Sequence, residues 1–520
     1  MRKKYLSLAM AIAMLVSMAL AFVGCQAPAA TATSAAASSE ASEAPADTAS
    51  AEASAPAGDP VELTWLMGDP GVVPPDESIV EEALNKISVE KLNVKMKTLY
   101  VKDEAIKLAL SSGDPWDIAF TCEWFNSFVN QAAAGYFADI TDKVQTVTPD
   151  LYATMPEVVW EGAKVNGKVY AIPVKKDYAA EMYYRFDKAL FVDDLKMTVS
   201  DKMGFADIES YLKAAKDAFT KGDSAASQAE YPLMLSKGGF PGIDSHYDMI
   251  YRDAMLGIPY SSVGSADETK IVVTLESKDF VDRLNAVRSW YQAGYINKDA
   301  STLESDAKYS AVKVGQGFYG ADAIWTGADG YVQLISKFSG PYLSSSSIRG
   351  SMNAINANSA NIDLALKYQE LVNTNQEYRD TLRYGVLGTH WNKTAEGLAQ
   401  RTKEGSEKYA PWAFSQGSYS LSTVEAAEGV TVDPQMWTKI FDSYKDAVAT
   451  KSIGFSFDTT SLQTELAAIK VVKDKYWAGL VTGSLDPAET LPKMIKELED
   501  AGLRTVQQEA QKQFDAFLAG

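Results

Sequence analysis

The sequence predicts an α/β protein with room for two lobes. Strand and helix patterns alternate in the order β-α-β-α-β between Val61 and Thr121. A later stretch, Asn166 to Phe191, passes from one strand pattern to another with no helix between them. Behind an N-terminal leader and a low-complexity tail, roughly 460 residues remain, enough to bury two sizeable cores.

The leader comes first. Arg2, Lys3 and Lys4 precede an apolar run from Tyr5 to Val23, followed by Gly24-Cys25. A charged start and a short apolar run read as a secretory signal rather than a membrane span. Gln26 to Pro60 carries no aromatic, Leu, Ile, Val or basic residue. Such a segment cannot bury enough surface to offset the entropy of ordering, so residues 26–60 are expected to form a disordered tether.

The first folded elements are set by periodicity. Val61, Leu63, Trp65 and Met67 alternate along a strand. Ile79, Val80, Ala83, Leu84 and Ile87 share one face of a helix spanning Ser78 to Lys91. Asn93 to Val101 alternates again. Asp103 to Ser112 reads as a helix closed by Gly113, and Trp116 to Thr121 as the next strand. This order predicts a parallel sheet, and ligands of such sheets bind beyond the carboxyl ends of strands. Those ends are Met67-Gly68-Asp69 and Thr121-Cys122-Glu123-Trp124.

In the later stretch, Asn166-Gly167 is a turn signal. Val169 to Val174 reads as a strand, with Pro173 excluding a central position. Met182 to Phe186 is a second strand, and Asp187 stands where it can cap a new helix. Read by itself, the stretch is either a hairpin or a passage between two sheets.

Its motif is more informative. GKVYAIP, then about ten residues, then Tyr183-Tyr184-Arg185 before an apolar segment resembles the first interlobe crossover of the solute-binding proteins of ABC importers, with the maltose-binding-protein fold as the familiar relative. The resemblance implies a two-lobed periplasmic-binding-protein fold with discontinuous lobes and a hinge. Lobe I would take 61–175 plus 346–415, lobe II 176–345 plus 416–520, and the ligand cleft would lie between them. Gly24-Cys25 is similar to a bacterial lipobox, although Phe22 stands where leucine is usual. That implies lipid on Cys25 and a protein held at the extracellular face of the cell membrane of a Gram-positive bacterium.

The remaining elements come in family order. Phe205 to Thr220 and Phe280 to Ala293 read as helices, the second ended by Gly294. AGYINKDA, Ala293 to Ala300, is similar to the usual exit from that second helix. Gly315, Gly317 and Gly320 spell GxGxxG. A dinucleotide site needs a following helix and an acid about twenty residues on. Ala321 to Trp325 reads as strand and position 340 is glycine, so a nucleotide is not expected. Ser347 to Asn373 is similar to the second return to lobe I. Tyr384 to Trp391 and Gly454 to Leu503 resemble segments of large sugar-importer lipoproteins of Firmicutes.

Charge and residue counts limit the chemistry. The net charge of −19 argues against nucleic acid as a partner. Two histidines are too few for a three-histidine zinc site, and no HExxH, GxSxG or P-loop pattern occurs. Cys25 and Cys122 are the only cysteines; with Cys25 lipidated no disulfide framework is possible. No cofactor, no metal and no catalytic residue are expected, and the protein is expected to be a monomer.

Ten tryptophans and 26 tyrosines remain, and aromatic faces stack on sugar rings. Trp65 and Trp116 occupy strand positions and are expected in the core. Trp124, Trp325, Trp391 and Trp412 fall at strand ends or in loops and are assigned to the cleft, together with Glu123. Arg349 is either a partner for ligand hydroxyl or carboxylate groups or a surface charge. Asp177 lies in the crossover, where hinge and ligand roles coincide. The expected function is capture of a carbohydrate, an oligosaccharide in the first place, for delivery to the transmembrane subunits of an ABC permease. The alternatives are a peptide or other small metabolite on the same fold, and a secreted glycosidase.

Overall fold

The computed structural model describes residues 58–520 apart from 69–72, 114, 222–229, 306 and 412–415. The leader with Cys25, most of the tether, and Trp412 lie outside the described residues.

The first sheet has five strands in the order Val94–Val101, Val61–Gly68, Ile118–Thr121, Met352–Ile355, Ala171–Pro173. The first three are parallel, as the alternating pattern requires. Helices Glu77–Leu92 and Asp103–Ser111 connect them. Met352–Ile355 arrives from far along the chain and runs antiparallel to both its neighbours.

The second sheet orders Val312–Gly317, Ala180–Asp187, Gln333–Leu343 and Val448–Ala449. Ala171–Pro173 and Ala180–Asp187 therefore sit in different sheets, and the stretch between them is a crossover rather than a hairpin. The Asn166-Gly167 signal closes a smaller unit. Both residues have positive φ, 51° and 77°, and they join Lys164–Val165 to Lys168–Val169. Asp187 does cap the next element, through its Oδ1, which accepts from the Ala189 amide at 3.0 Å. The capped element is a short π-helix, Ala189–Asp194.

One expectation is overturned. Residues 321–325 are not strand but the start of the helix Ala321–Asp329, with Gly320 left-handed at its N-cap. A short apolar run carries no decisive period, and the glycine at φ 83° is what separates strand from helix here. The GxGxxG glycines thus do precede a helix. The strand bearing them is antiparallel to its neighbour, however, so no βαβ unit exists for a dinucleotide.

Two hydrophobic cores back the two sheets. One gathers side chains from residues 63–179, 343–382 and 409–444, and Phe318 and Ala321 join it. The other gathers 182–338 and 455–514. Trp65 and Trp116 are buried in the first. Met436, Trp437, Ile440 and Tyr444 also pack there, so the chain passes to the second core only beyond Tyr444, later than the expected 415/416 boundary.

Candidate binding groove

At the carboxyl end of Ile118–Thr121 the chain folds back on itself. The Cys122 amide donates to the Phe125 carbonyl at 2.9 Å, and the Phe128 amide to the Cys122 carbonyl at 3.0 Å. Asn126 adopts positive φ, and its Nδ2 donates to the Phe120 carbonyl at 3.0 Å. Thr121 Oγ1 donates to the Asn126 carbonyl at 2.9 Å. This self-bonded loop turns Glu123 and Trp124 outward. Trp124 is 52% exposed, yet its indole N–H donates to the Gly350 carbonyl at 3.0 Å, and its ring tilts against Phe120 and Phe125. Its N–H edge is fixed while about half of the residue stays exposed. Cys122, behind the loop, is buried, and burial pushes its thiol up to about 12, which makes it an inert packing group.

Glu123 reaches into a groove of about 380 Å³ bordered by both halves of the molecule. Ser127 and Asn130 continue the first wall. Asp248, Tyr251 and Arg252 of the hairpin that starts with strand Tyr247–Tyr251, together with Phe457, form the other. The connecting segments, with Ser345, Arg349 and Ser452, border it as well.

Arg349 is 3% exposed. Its Nε donates to the Gly162 carbonyl at 2.8 Å, another nitrogen donates to the Lys164 carbonyl, and Nη1 lies 3.6 Å from Glu123. It is therefore not a surface charge but a buried clamp between crossover and first core, with one edge left on Glu123. Burial lowers its proton affinity and the Glu123 carboxylate partly restores it.

Sequence reasoning missed Asp248. Its carboxylate is buried and accepts from the Thr450 hydroxyl at 2.5 Å and from the Ser452 hydroxyl. Burial raises its pKa above the ordinary carboxylate range, and the two hydroxyls oppose that shift. The serine that borders the groove from the crossover, Ser345, accepts from the Gly454 amide at 2.8 Å, so the same return segment is held twice. These partners lie some 110–200 residues apart, and no local pattern announces them.

The other assigned residues, Trp124 among them, do not border the groove. Asp177 pairs with Lys176 at 2.8 Å in the crossover and does not border the groove. Trp325 lies over the second sheet, with the Arg185 guanidinium 4.3 Å from its ring. A Cβ on Gly317 would collide with that ring, so the glycine is what admits it. Trp391 is 6% exposed; its N–H donates to the Gly385 carbonyl at 3.0 Å and its ring packs on Tyr384. Its indole fills a small core of its own rather than the groove. Among the described residues, no group of three or more His, Cys, Asp or Glu could hold a metal ion.

Comparison with known proteins bears on the fold. A crystal structure of the N-glycan transport solute-binding protein of Streptococcus pneumoniae superposes with a TM-score of 0.77 at 23% identity, covering 89% of this chain and 100% of that one. The fold is that of a solute-binding protein. A human-milk-oligosaccharide-binding solute-binding protein of Bifidobacterium longum infantis matches at TM-score 0.55 and 16% identity, over 89% and 99% of the two chains. In sequence, a carbohydrate ABC transporter substrate-binding protein of S. pneumoniae serotype 4 is 28% identical over 491 residues, 89% of this chain and 92% of its own. Residues 451–519 match a family described as a domain of unknown function, DUF3502. The last two helices of the solute-binding fold, Pro487–Asp500 and Leu503–Ala519, fall within that match.

Proposed function

We propose that this chain is an extracellular binding protein that captures an oligosaccharide between its two lobes and delivers it to the permease of an ABC importer. The observation that carries the reading is Trp124. An indole pinned by its N–H to the crossover and about half exposed is of a kind that packs against the apolar face of a sugar ring. Glu123 beside it offers a carboxylate to ring hydroxyls, and Arg349 fixes that carboxylate from behind. The relatives support the substrate class, since structures of the pneumococcal N-glycan transport protein hold Man1GlcNAc and Man5GlcNAc.

In this reading the lobes are built around the two cores: residues 61–175 and the segment from 346 form lobe I, and 176–345 with the C-terminal helices form lobe II. Lipid on Cys25 anchors the chain at the outer face of the membrane, and residues 26–60 act as a tether. The reading is tested by calorimetric titration with a panel of N-glycan fragments, other neutral oligosaccharides and a peptide library. Saturable binding of a glycan supports it. Binding of peptides with no response to any glycan overturns it.

A further inference from the structure

The outer strand of the first sheet, Val94–Val101, carries lysines that the binding reading does not use. Between Ala83 and Lys102 stand Lys86, Lys91, Lys95, Lys97 and Lys102, against one acid, Glu90, in a chain whose net charge is −19. All five lysines are exposed, and none is ion-paired among the described residues. Lys470, Lys475 and Lys496 in the C-terminal helices, by contrast, each meet a carboxylate, at 2.7, 2.8 and 3.0 Å.

Val94 and Met96 are buried, which turns Lys95 and Lys97 to the opposite face of the strand. Leu99 follows them there and is also exposed. Lys95 borders the same shallow depression as Lys86 of the preceding helix, together with Ile79, Ala83 and Val89. Glu82 and Glu62, the register partner of Lys95 in the neighbouring strand, are the acids that adjoin it. The backbone of this edge is already satisfied. Asn85 Oδ1 accepts from the Met96 amide at 2.7 Å, and its Nδ2 donates to the Met96 carbonyl at 3.1 Å. The Thr98 amide donates to Glu81 Oε2 at 3.5 Å. A strand added by another chain would find these groups taken, so the contact left to this edge is through its side chains.

The chain enters the described residues at this same corner. Asn93 Nδ2 donates to the Gly58 and Asp59 carbonyls at 3.3 Å, and the Val61 amide donates to the Asn93 carbonyl at 2.9 Å. Asn93 immediately precedes the lysine-bearing strand. A flexible segment as long as residues 26–60 has an r.m.s. span of about 30–35 Å, so an anchor at Cys25 keeps this edge near a bilayer. Confinement on that scale gives an effective concentration of roughly millimolar order, and a contact too weak for a free protein then suffices. Attraction of lysines to anionic headgroups fades within a Debye length of about 8 Å, so the side chains that face the bilayer count and acids on the remote side do not. We infer that the edge bearing Lys86, Lys95 and Lys97 rests on anionic phospholipid headgroups and sets the orientation in which the anchored protein stands on the membrane. The inference rests on the anchoring part of the reading above and is independent of the sugar.

The test is amine-acylation footprinting read by mass spectrometry. The full chain is held by its own N-terminus on vesicles of phosphatidylcholine, or of phosphatidylcholine and phosphatidylglycerol in equal parts. Lys86, Lys95 and Lys97 should react roughly threefold or more slowly on the anionic vesicles, with added salt erasing the difference. Lys298 and Lys493, exposed in the other half, should react alike on both. The double variant Lys95→Glu, Lys97→Glu, at outward positions, should keep its melting temperature and abolish the protection of Lys86. Equal rates on both vesicles, equal slowing of Lys298 and Lys493, or protection of Lys86 that persists in the double variant overturns the inference. Slowing found only on native membranes assigns the edge to a membrane protein and overturns it as well. The mass of the N-terminal peptide scores lipid on Cys25 separately, since an uncleaved leader also holds the chain on vesicles.

Discussion

Trp124 and Gly350 are 226 positions apart in the chain, and one hydrogen bond of 3.0 Å from indole N–H to carbonyl joins them. The bond ties the loop at the end of a lobe I strand to the crossover that brings the chain back from the second core. It fixes the N–H edge of a side chain that stays 52% exposed.

Trp124→Ala should therefore cost binding more than folding. Stacking is worth on the order of 1 kcal/mol beyond buried area, so glycan affinity should fall roughly tenfold or more, with little change in melting temperature. Trp65 is the contrast. It is 1% exposed, donates to Asn353 Oδ1 at 3.1 Å and packs edge-on to Tyr368. Trp65→Ala should lose about 3–5 kcal/mol of stability. Melting curves and calorimetry on both variants check this; equal losses of stability would remove Trp124 from the site.

Asp248 gives stability a pH dependence. Its carboxyl pKa is raised in the folded state by burial. Between the ordinary value and the raised one, the folded chain binds more protons than the unfolded chain, so this group's contribution falls as pH rises through that window. Asp248→Asn keeps an acceptor for the Thr450 and Ser452 hydroxyls and abolishes the titration. Relative to wild type, the variant should gain stability from about pH 4 upward. Melting temperatures from acid to neutral pH provide the measurement. A variant uniformly weaker at every pH would show that the charged form is what the fold uses.

The two sheets are joined by the crossovers at 174–179 and 344–351, and the chain returns through 445–454. Few connecting segments between two separate cores suit hinge bending. Small-angle scattering with a saturating glycan should show a smaller radius of gyration than the free protein. An unchanged radius at saturation would count against closure.

Anchoring is read from Cys25. Cys25→Ala should leave the protein unlipidated and either shed or uncleaved. Mass spectrometry of the membrane-bound wild type should find a modified N-terminal cysteine, and an unmodified Cys25 there would refute the anchor.

How much of this is legible in the sequence depends on whether the signal is local. The order from Val61 to Thr121 is set by apolar spacing within each element, and the loop bearing Glu123 and Trp124 is placed by the strand before it. Ala321 to Trp325 is not legible as helix, because five mixed residues fit either period and the deciding feature is the left-handed Gly320. Trp391 stands among glycines as if free for ligand, yet one of those neighbours, Gly385, supplies the carbonyl that satisfies its N–H. Asp248 gives no sign, because its meaning depends on hydroxyls at 450 and 452.

The position of Met352–Ile355 between Ile118–Thr121 and Ala171–Pro173 has a consequence for how the chain is made. Until residue 355 has been synthesised, the first sheet has a gap between two strands that do not touch each other. The second core is no quicker, since it awaits helices as late as Leu503–Ala519. Neither half can close on a growing chain, and pairings across such separations form slowly. A polypeptide wired in this way leaves its first sheet open until residue 355 and its second core open until the C-terminal helix is made, which favours passing the chain unfolded through an export channel.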